Sequence, residues 1–153
     1  MPKYAIDTCS ITAMCRTYPI DVFPSAWNKL DELASSGVVI STEQVLQELK
    51  AQDDEAHEWA KGFKEIFLPL DEEVQGTASL VLGTHPELID LKRRKSGADP
   101  FLIATAKIKS CAVVTEEKPS GGPHRPKIPD VCGAYGLECI NVLEMLRREG
   151  LKA

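Results

Sequence analysis

Five acidic residues in this 153-residue sequence have the types and positions needed for shared work on a cation. Carboxylates brought close together repel one another and hold protons unless a cation neutralises them. Hard Mg²⁺ and Mn²⁺ prefer oxygen ligands, and in phosphoryl chemistry they polarise the phosphate, activate water and stabilise the leaving oxygen. The chemistry suggested is metal-assisted hydrolysis of a phosphate ester. The five residues are Asp7, Glu48, Asp99, Glu116 and Glu117.

Asp7 is the clearest candidate because it ends a short apolar run in the segment YAIDTCSIT. We predict a first strand over residues 3–7. Ligand sites of open α/β sheets lie just beyond the carboxyl ends of their strands. We therefore expect Asp7 to face a cleft, and a turn or helix-cap role is the alternative.

The remaining acids each have a simpler structural explanation as well. Asp99 stands before a proline and fits the N-cap of a helix. Glu43 and Glu48 flank opposite sides of one apolar helical stripe, and helical spacing does not choose between them. The pair at 116 and 117 follows a strand, and adjacent residues there point in different directions, so one of the two is expected to face the cleft.

Strands and helices alternate along the sequence, which predicts a parallel sheet covered by helices on both faces. We predict one domain over residues 1–153, an α/β fold with three α/β/α layers and four or five parallel strands. The segment EEKPSGGPHRPKIP is predicted to be a loop. Strands are predicted at residues 3–7, 38–40, 111–115 and 137–140. Helices are predicted from the cap Ser25 to Gly37, from the cap Ser41 through VLQELK, and over residues 53–67 and 71–82. Two further helices are predicted, one beginning at Asp99 and one through NVLEMLRRE.

Composition restricts the class of protein. Hydrophobic residues are 43% and charged residues 27%, which is ordinary for a globular domain, and no apolar stretch approaches the length of a membrane span. The N-terminus does not resemble a signal peptide, so a cytoplasmic location is expected. Five cysteines without a CxxC motif favour free thiols. The net charge of −5 argues against a protein that coats nucleic acid non-specifically.

Basic residues cluster in two segments. KRRK at 92–95 is interpreted as solvated surface. The loop that follows Glu117 would border the expected cleft, and four of its side chains could contact phosphates there. They are Lys118, His124, Arg125 and Lys127.

Five stretches occur in an order and spacing that cover nearly the whole chain: YAIDTCSIT, ISTEQVLQELK, SGADPFLIATAK, AVVTEEK and KIPDVCGAYGLECINVLEML. Together they resemble the PIN-domain superfamily of metal-dependent ribonucleases, and most of all a PIN-like branch catalogued as a domain of unknown function. The resemblance implies that Mg²⁺ or Mn²⁺ is bound by Asp7, Glu48, Asp99 and the Glu116–Glu117 pair. The pattern T-x-acid favours Glu117, and Thr115 and Ser10 would have supporting roles.

The resemblance also implies a function. Many PIN proteins are toxins of VapBC-type pairs, which cleave RNA and are held inactive by an antitoxin, and a homodimer is expected here. The sequence departs from the family pattern in having Cys9 where an asparagine or serine is common, and a glutamate as the last acid. An inactive PIN-fold module that binds RNA or a partner is therefore the alternative. An aspartyl phosphatase of haloacid-dehalogenase type would need a second acid at position 9.

Overall fold

The computed structural model describes residues 1–86, 99–119 and 127–152. Its strands form one parallel sheet in the order β3-β2-β1-β4-β5, with helices on both faces. The predicted three-layer α/β/α architecture with four or five parallel strands is confirmed. The strands are β1 (Tyr4–Ile6), β2 (Val39–Thr42), β3 (Phe67–Leu68), β4 (Ala112–Val114) and β5 (Cys139–Ile140).

Eight α-helices lie within the described ranges, and none of them is long and apolar enough to cross a membrane. They are α1 (Thr8–Thr17), α2 (Pro24–Ser35), α3 (Glu43–Gln52), α4 (Asp54–Lys61), α5 (Glu72–Thr84), α6 (Asp99–Lys109), α7 (Ile128–Ala134) and α8 (Val142–Arg148).

The two faces of the sheet carry separate apolar cores. Ile6 points into a core built with α1, α2, α3, α4 and α8, where Leu30 is fully buried. Its neighbour Ala5 points into the opposite core, which contains Leu102 and Ile103 of α6. Burial of each such Leu or Ile side chain contributes about 1.5–3 kcal/mol. Because both faces are buried, the position at which each strand ends is fixed, and so is the direction in which the next side chain leaves the sheet.

Two predicted helix caps are wrong. Helix α2 begins at Pro24, one residue before the predicted cap Ser25, because proline suits the first helical position. Ser41 belongs to β2, where its hydroxyl donates to the Ile6 carbonyl oxygen at 2.7 Å. The cap of α3 is Thr42, so the predicted capping box does not form.

The predicted helix over residues 53–67 is also wrong. Helix α4 ends at Lys61, and a 3₁₀ turn (Lys64–Ile66) leads into the edge strand β3. Helix α1 was not predicted, and α7 begins inside the segment predicted to be a loop.

Candidate active site

The site forms where the chain leaves β1, the central strand of the sheet, and its neighbour β4. β1 lies between β2 and β4, and the Asp7 backbone N–H continues the ladder by donating to the Val114 carbonyl oxygen at 2.9 Å. Thr115 follows β4 directly and is buried. Asp7 and Thr115 therefore leave adjacent strands side by side at the carboxyl edge, the position at which open parallel sheets bind ligands.

Asp7 is both a helix cap and a member of this site. Its carboxylate is only 4% exposed, and Oδ1 accepts a 2.7 Å hydrogen bond from the Thr8 backbone N–H at the start of α1. Oδ2 accepts from the Thr115 hydroxyl at 2.9 Å and from the Cys9 thiol at 3.1 Å. Oδ1 thus fills the helix-cap role considered from sequence, and Oδ2 ties the same carboxylate to the side chains of Cys9 and Thr115.

Cys9 links α1 to the turn that follows β4. Its sulfur accepts a hydrogen bond from the Glu116 backbone N–H at 3.3 Å and lies 3.3 Å from the Thr115 hydroxyl oxygen. The same hydroxyl accepts from the Glu117 backbone N–H at 3.2 Å. Burial and the nearby Asp7 charge strongly raise the pKa of the Cys9 thiol, so the thiol stays protonated at neutral pH.

The other acids lie close enough to Asp7 for their charges to interact. Asp99, the first residue of α6, is 7% exposed. Burial raises the pKa of Asp99 to about 10, with further contributions from the charges of Asp7, Glu117 and Glu48, while the charge of Lys127 acts in the opposite direction. Burial likewise raises the pKa of Asp7 to about 6, although hydrogen bonds from Cys9 and Thr115 lower it. These four carboxyl groups form one electrostatically coupled cluster, which we call the acidic cluster: Asp7, Glu48, Asp99 and Glu117.

The structure distinguishes the two glutamates of α3. Glu48 Oε2 accepts a 2.7 Å hydrogen bond from the Thr8 hydroxyl, which places it beside Asp7. Glu43 is exposed and accepts from the Leu70 backbone N–H at 3.3 Å, near the edge strand β3. Only Glu48 belongs to the acidic cluster.

Glu116 and Glu117 point to different helices. Glu116 Oε1 accepts from the Val142 backbone N–H, the first of α8, at 3.3 Å, and burial raises the pKa of Glu116. Glu117 Oε2 accepts from the Ile128 backbone N–H, the first of α7, at 3.0 Å. Free N–H groups at helix N-termini favour such acceptors. Glu116 therefore faces away from the acidic cluster. Glu117 belongs to the cluster and also accepts a hydrogen bond from the N-terminus of α7.

Ser10, which is predicted to support the site, is buried, and the described residues predicted to bind RNA are exposed. Ser10 is fully buried on α1, and within the described part of the chain no group forms a hydrogen bond with its hydroxyl. Lys118 and Lys127 are exposed, and Lys127 is close enough to affect the pKa of Asp99. His124, Arg125 and KRRK at 92–95 lie outside the described residues.

The donor types of the acidic cluster fit a hard divalent cation. All are carboxylate oxygens, and the charges of the other three members add to the burial that raises the pKa of Asp99. Among residues 1–86, 99–119 and 127–152, however, no group of three or more His, Cys, Asp or Glu side chains is arranged to hold a metal ion. Coordination by three members of the cluster would therefore require side-chain movement.

Fold and site together define an α/β protein with a PIN-like three-layer fold. The chain belongs to the family described as "Domain of unknown function (DUF4411)", whose match covers residues 4–153. A similar solved structure is the crystal structure of VapBC2 from Rickettsia felis bound to a DNA fragment from their promoter. It is 13% identical, covers 90% of this chain and 97% of that chain, and superposes with a TM-score of 0.54. At this identity the similarity shows the fold alone. No curated protein matches the sequence significantly.

Proposed function

We propose that this protein is a metal-dependent ribonuclease that hydrolyses RNA phosphodiester bonds with Mg²⁺ or Mn²⁺. The observation that carries the proposal is the meeting of buried Asp7 and Asp99 with Glu48 and Glu117 at the carboxyl edge of the sheet, where burial first of all raises the pKa of Asp99 to about 10. Three other carboxylates contribute to that rise, which is costly for the metal-free fold. A divalent cation would relieve the repulsion, and perturbed carboxyl groups that converge at one sheet edge are typical of functional sites.

Each member of the acidic cluster has a role in this proposal. Asp7 and Asp99 hold the cation, because they are the most buried carboxylates and face each other's charge. Glu48 is oriented by the Thr8 hydroxyl, and Glu117 is positioned by its contact with α7. The bound cation would polarise the phosphate and lower the pKa of a water molecule. Thr115 keeps Asp7 in place.

The basic side chains after Glu117 would bind the RNA backbone. Lys127 lies close enough to affect the pKa of Asp99, and Lys118 is exposed directly after Glu117. Such contacts position a phosphate without reading sequence. From the sequence we propose that His124 and Arg125, which lie outside the described residues, also bind RNA.

We further propose that the nuclease is a toxin held inactive by an antitoxin protein, and that it forms a homodimer. The structure of similar fold is a VapBC2 complex bound to promoter DNA. That similarity supports the proposed antitoxin. It does not distinguish among RNA targets.

A second candidate is a PIN-fold module that binds RNA or a partner without cleavage. Two observations favour it: both Glu116 and Glu117 already accept hydrogen bonds from helix N-termini, and the described residues contain no ready-made group of three metal ligands.

The two glutamates of α3 provide a matched test. Glu48→Gln removes a charge from the acidic cluster, whereas Glu43→Gln removes the same charge from an exposed site on the same helix. With Mn²⁺ and a mixed RNA substrate, native protein and Glu43→Gln should cleave at equal rates. Glu48→Gln should lower kcat about a hundredfold, the scale at which loss of one electrostatic stabiliser lowers catalysis. Native protein that binds RNA but cleaves none with Mg²⁺ or Mn²⁺ would favour the binding module.

A further inference from the structure

We propose that Cys9 sets the metal selectivity of the site, because with Thr115 it leaves Asp7 only one oxygen free for a cation. The consequence would be a preference for Mg²⁺ and Mn²⁺ over Ca²⁺. This inference rests on the proposed function, since it concerns the same cation, but it assigns a role to a thiol that the ribonuclease mechanism does not require.

The lone pairs of Asp7 determine how a cation can reach its carboxylate. Each carboxylate oxygen has two acceptor positions. Oδ2 accepts from the Thr115 hydroxyl at 2.9 Å and from the Cys9 thiol at 3.1 Å, so both positions are used. Among the described residues, Oδ1 accepts one hydrogen bond, from the Thr8 backbone N–H at 2.7 Å, and this leaves its second position. A cation would therefore reach Asp7 through Oδ1 alone.

The thiol has one proton, and the geometry indicates where it goes. The Cys9 sulfur is 3.1 Å from Asp7 Oδ2 and 3.3 Å from the Thr115 oxygen. The shorter contact is to a carboxylate, and a charged acceptor makes the stronger hydrogen bond. The sulfur itself accepts the Glu116 backbone N–H at 3.3 Å, which fixes its position from the other side. Cys9 is thus a neutral donor to Oδ2, held by the turn after β4.

The number of available oxygens matters because the cations differ in size and coordination. Ca²⁺ takes about six to eight oxygen ligands and often binds both oxygens of a carboxylate. Mg²⁺ requires near-octahedral geometry at about 2.0–2.1 Å and keeps several waters, so it needs fewer oxygens from the protein. A carboxylate with one oxygen saturated by hydrogen bonds therefore disfavours Ca²⁺. Removing the thiol would return one acceptor position to Oδ2.

The test measures metal binding directly, without catalysis. Melting temperatures of native protein, Cys9→Ala and Cys9→Ser are titrated with Mn²⁺, Mg²⁺ and Ca²⁺, since a ligand of the folded state stabilises it in proportion to its affinity. Cys111→Ala is the matched control, because it removes a buried thiol at the opposite end of β4.

We expect Cys9→Ala to lower the ratio of Kd for Ca²⁺ to Kd for Mn²⁺ by about tenfold, the effect of one hydrogen bond to a charged group. Cys9→Ser keeps a donor and should stay within about threefold of the native ratio. Cys111→Ala should leave the ratio unchanged. Thr115→Val removes the second donor to Oδ2 and should also lower the ratio, so the inference stays testable should Cys9→Ala fail to fold.

An unchanged ratio in both Cys9→Ala and Thr115→Val would overturn the inference, even if both variants bound every cation more weakly. In that case native protein would still respond to Mn²⁺, and the proposed ribonuclease would be unaffected. A native protein that responds to none of the three cations would overturn both proposals. If the native enzyme cleaves RNA and the variants leave the ratio of Kd for Ca²⁺ to Kd for Mn²⁺ unchanged, the role of Cys9 in metal selectivity is overturned and the ribonuclease proposal stands.

Discussion

Replacing Asp7 with Asn should make the metal-free protein more stable at neutral pH. The pKa of Asp7 is raised from 3.8 to about 6, mainly by burial, so the folded state binds this proton more tightly than the unfolded state does. Stability therefore falls as pH rises between 3.8 and about 6, and stays at the lower value above that range. At about 1.36 kcal/mol for each pKa unit, ionised Asp7 costs the fold about 3 kcal/mol at pH 8.

Hydrogen bonds that Asp7→Asn would lose should lower the stability only slightly. Asn is as good an N-cap as Asp, and loss of a cap altogether costs about 1 kcal/mol. The Asn carbonyl oxygen can accept from the Thr8 N–H, while its amide can donate to the Thr115 hydroxyl oxygen. We therefore expect Asp7→Asn to raise the free energy of unfolding by about 2–3 kcal/mol at pH 8 and to have little effect near pH 4.

The assay is urea unfolding with EDTA at pH 4, 6 and 8. Asp71→Asn is the control, because Asp71 caps α5 through Val74 N–H at 2.9 Å but is exposed. It should change stability by less than about 0.5 kcal/mol. A loss of more than about 1 kcal/mol in Asp7→Asn at pH 8 would refute the reasoning and make Asp7 a structural cap only.

Other predictions follow from the same contacts. Mn²⁺ at about 100 times its Kd should stabilise native protein by about 2.7 kcal/mol and Asp7→Asn hardly at all, as thermal unfolding would show. Glu116→Ala should lower the free energy of unfolding by about 1 kcal/mol, because α8 loses an acceptor at its N-terminus, and should leave the stabilisation by Mn²⁺ unchanged. Glu117→Ala should lower both the free energy of unfolding and the stabilisation by Mn²⁺. Equal stabilisation by Mn²⁺ in the two variants would contradict the placement of Glu117 in the acidic cluster and of Glu116 outside it. Lys127→Ala should weaken RNA binding in filter-binding assays and reduce the slope of log affinity against log salt by about 1; an unchanged slope would place Lys127 outside the RNA path.

The sheet could be predicted because its central strands are continuous apolar runs. Residues 38–40 and 111–114 have no polar interruption, which is typical of strands buried on both faces, and Asp7 marks the end of β1. β3 was not predicted because a two-residue edge strand has no periodicity, and Trp59, Phe63 and Ile66 happen to keep a helical spacing that packing overrides.

The positions of candidate residues that directly follow a strand could be predicted from the sequence. Those that depend on a hydrogen bond to a residue far away in the chain could not. The choice of Glu48 over Glu43 comes from the Thr8 hydroxyl, forty residues earlier in the chain. Similarly, Glu117 meets the N–H of Ile128 only because α7 begins inside a segment whose glycines and prolines indicate a loop. No local pattern specifies either contact.

The two glutamates after β4 also make the acidic cluster observable by amide proton exchange. Glu117 holds the Ile128 N–H, and its neighbour Glu116 holds the Val142 N–H. If Glu117 turns toward a cation, the Ile128 proton loses its acceptor and should exchange faster with solvent. The Val142 proton should keep its rate, because Glu116 faces away from the cluster. The exchange rate of the Ile128 amide proton thus reports whether Glu117 binds a cation. The Val142 amide proton, held by Glu116, serves as an internal reference.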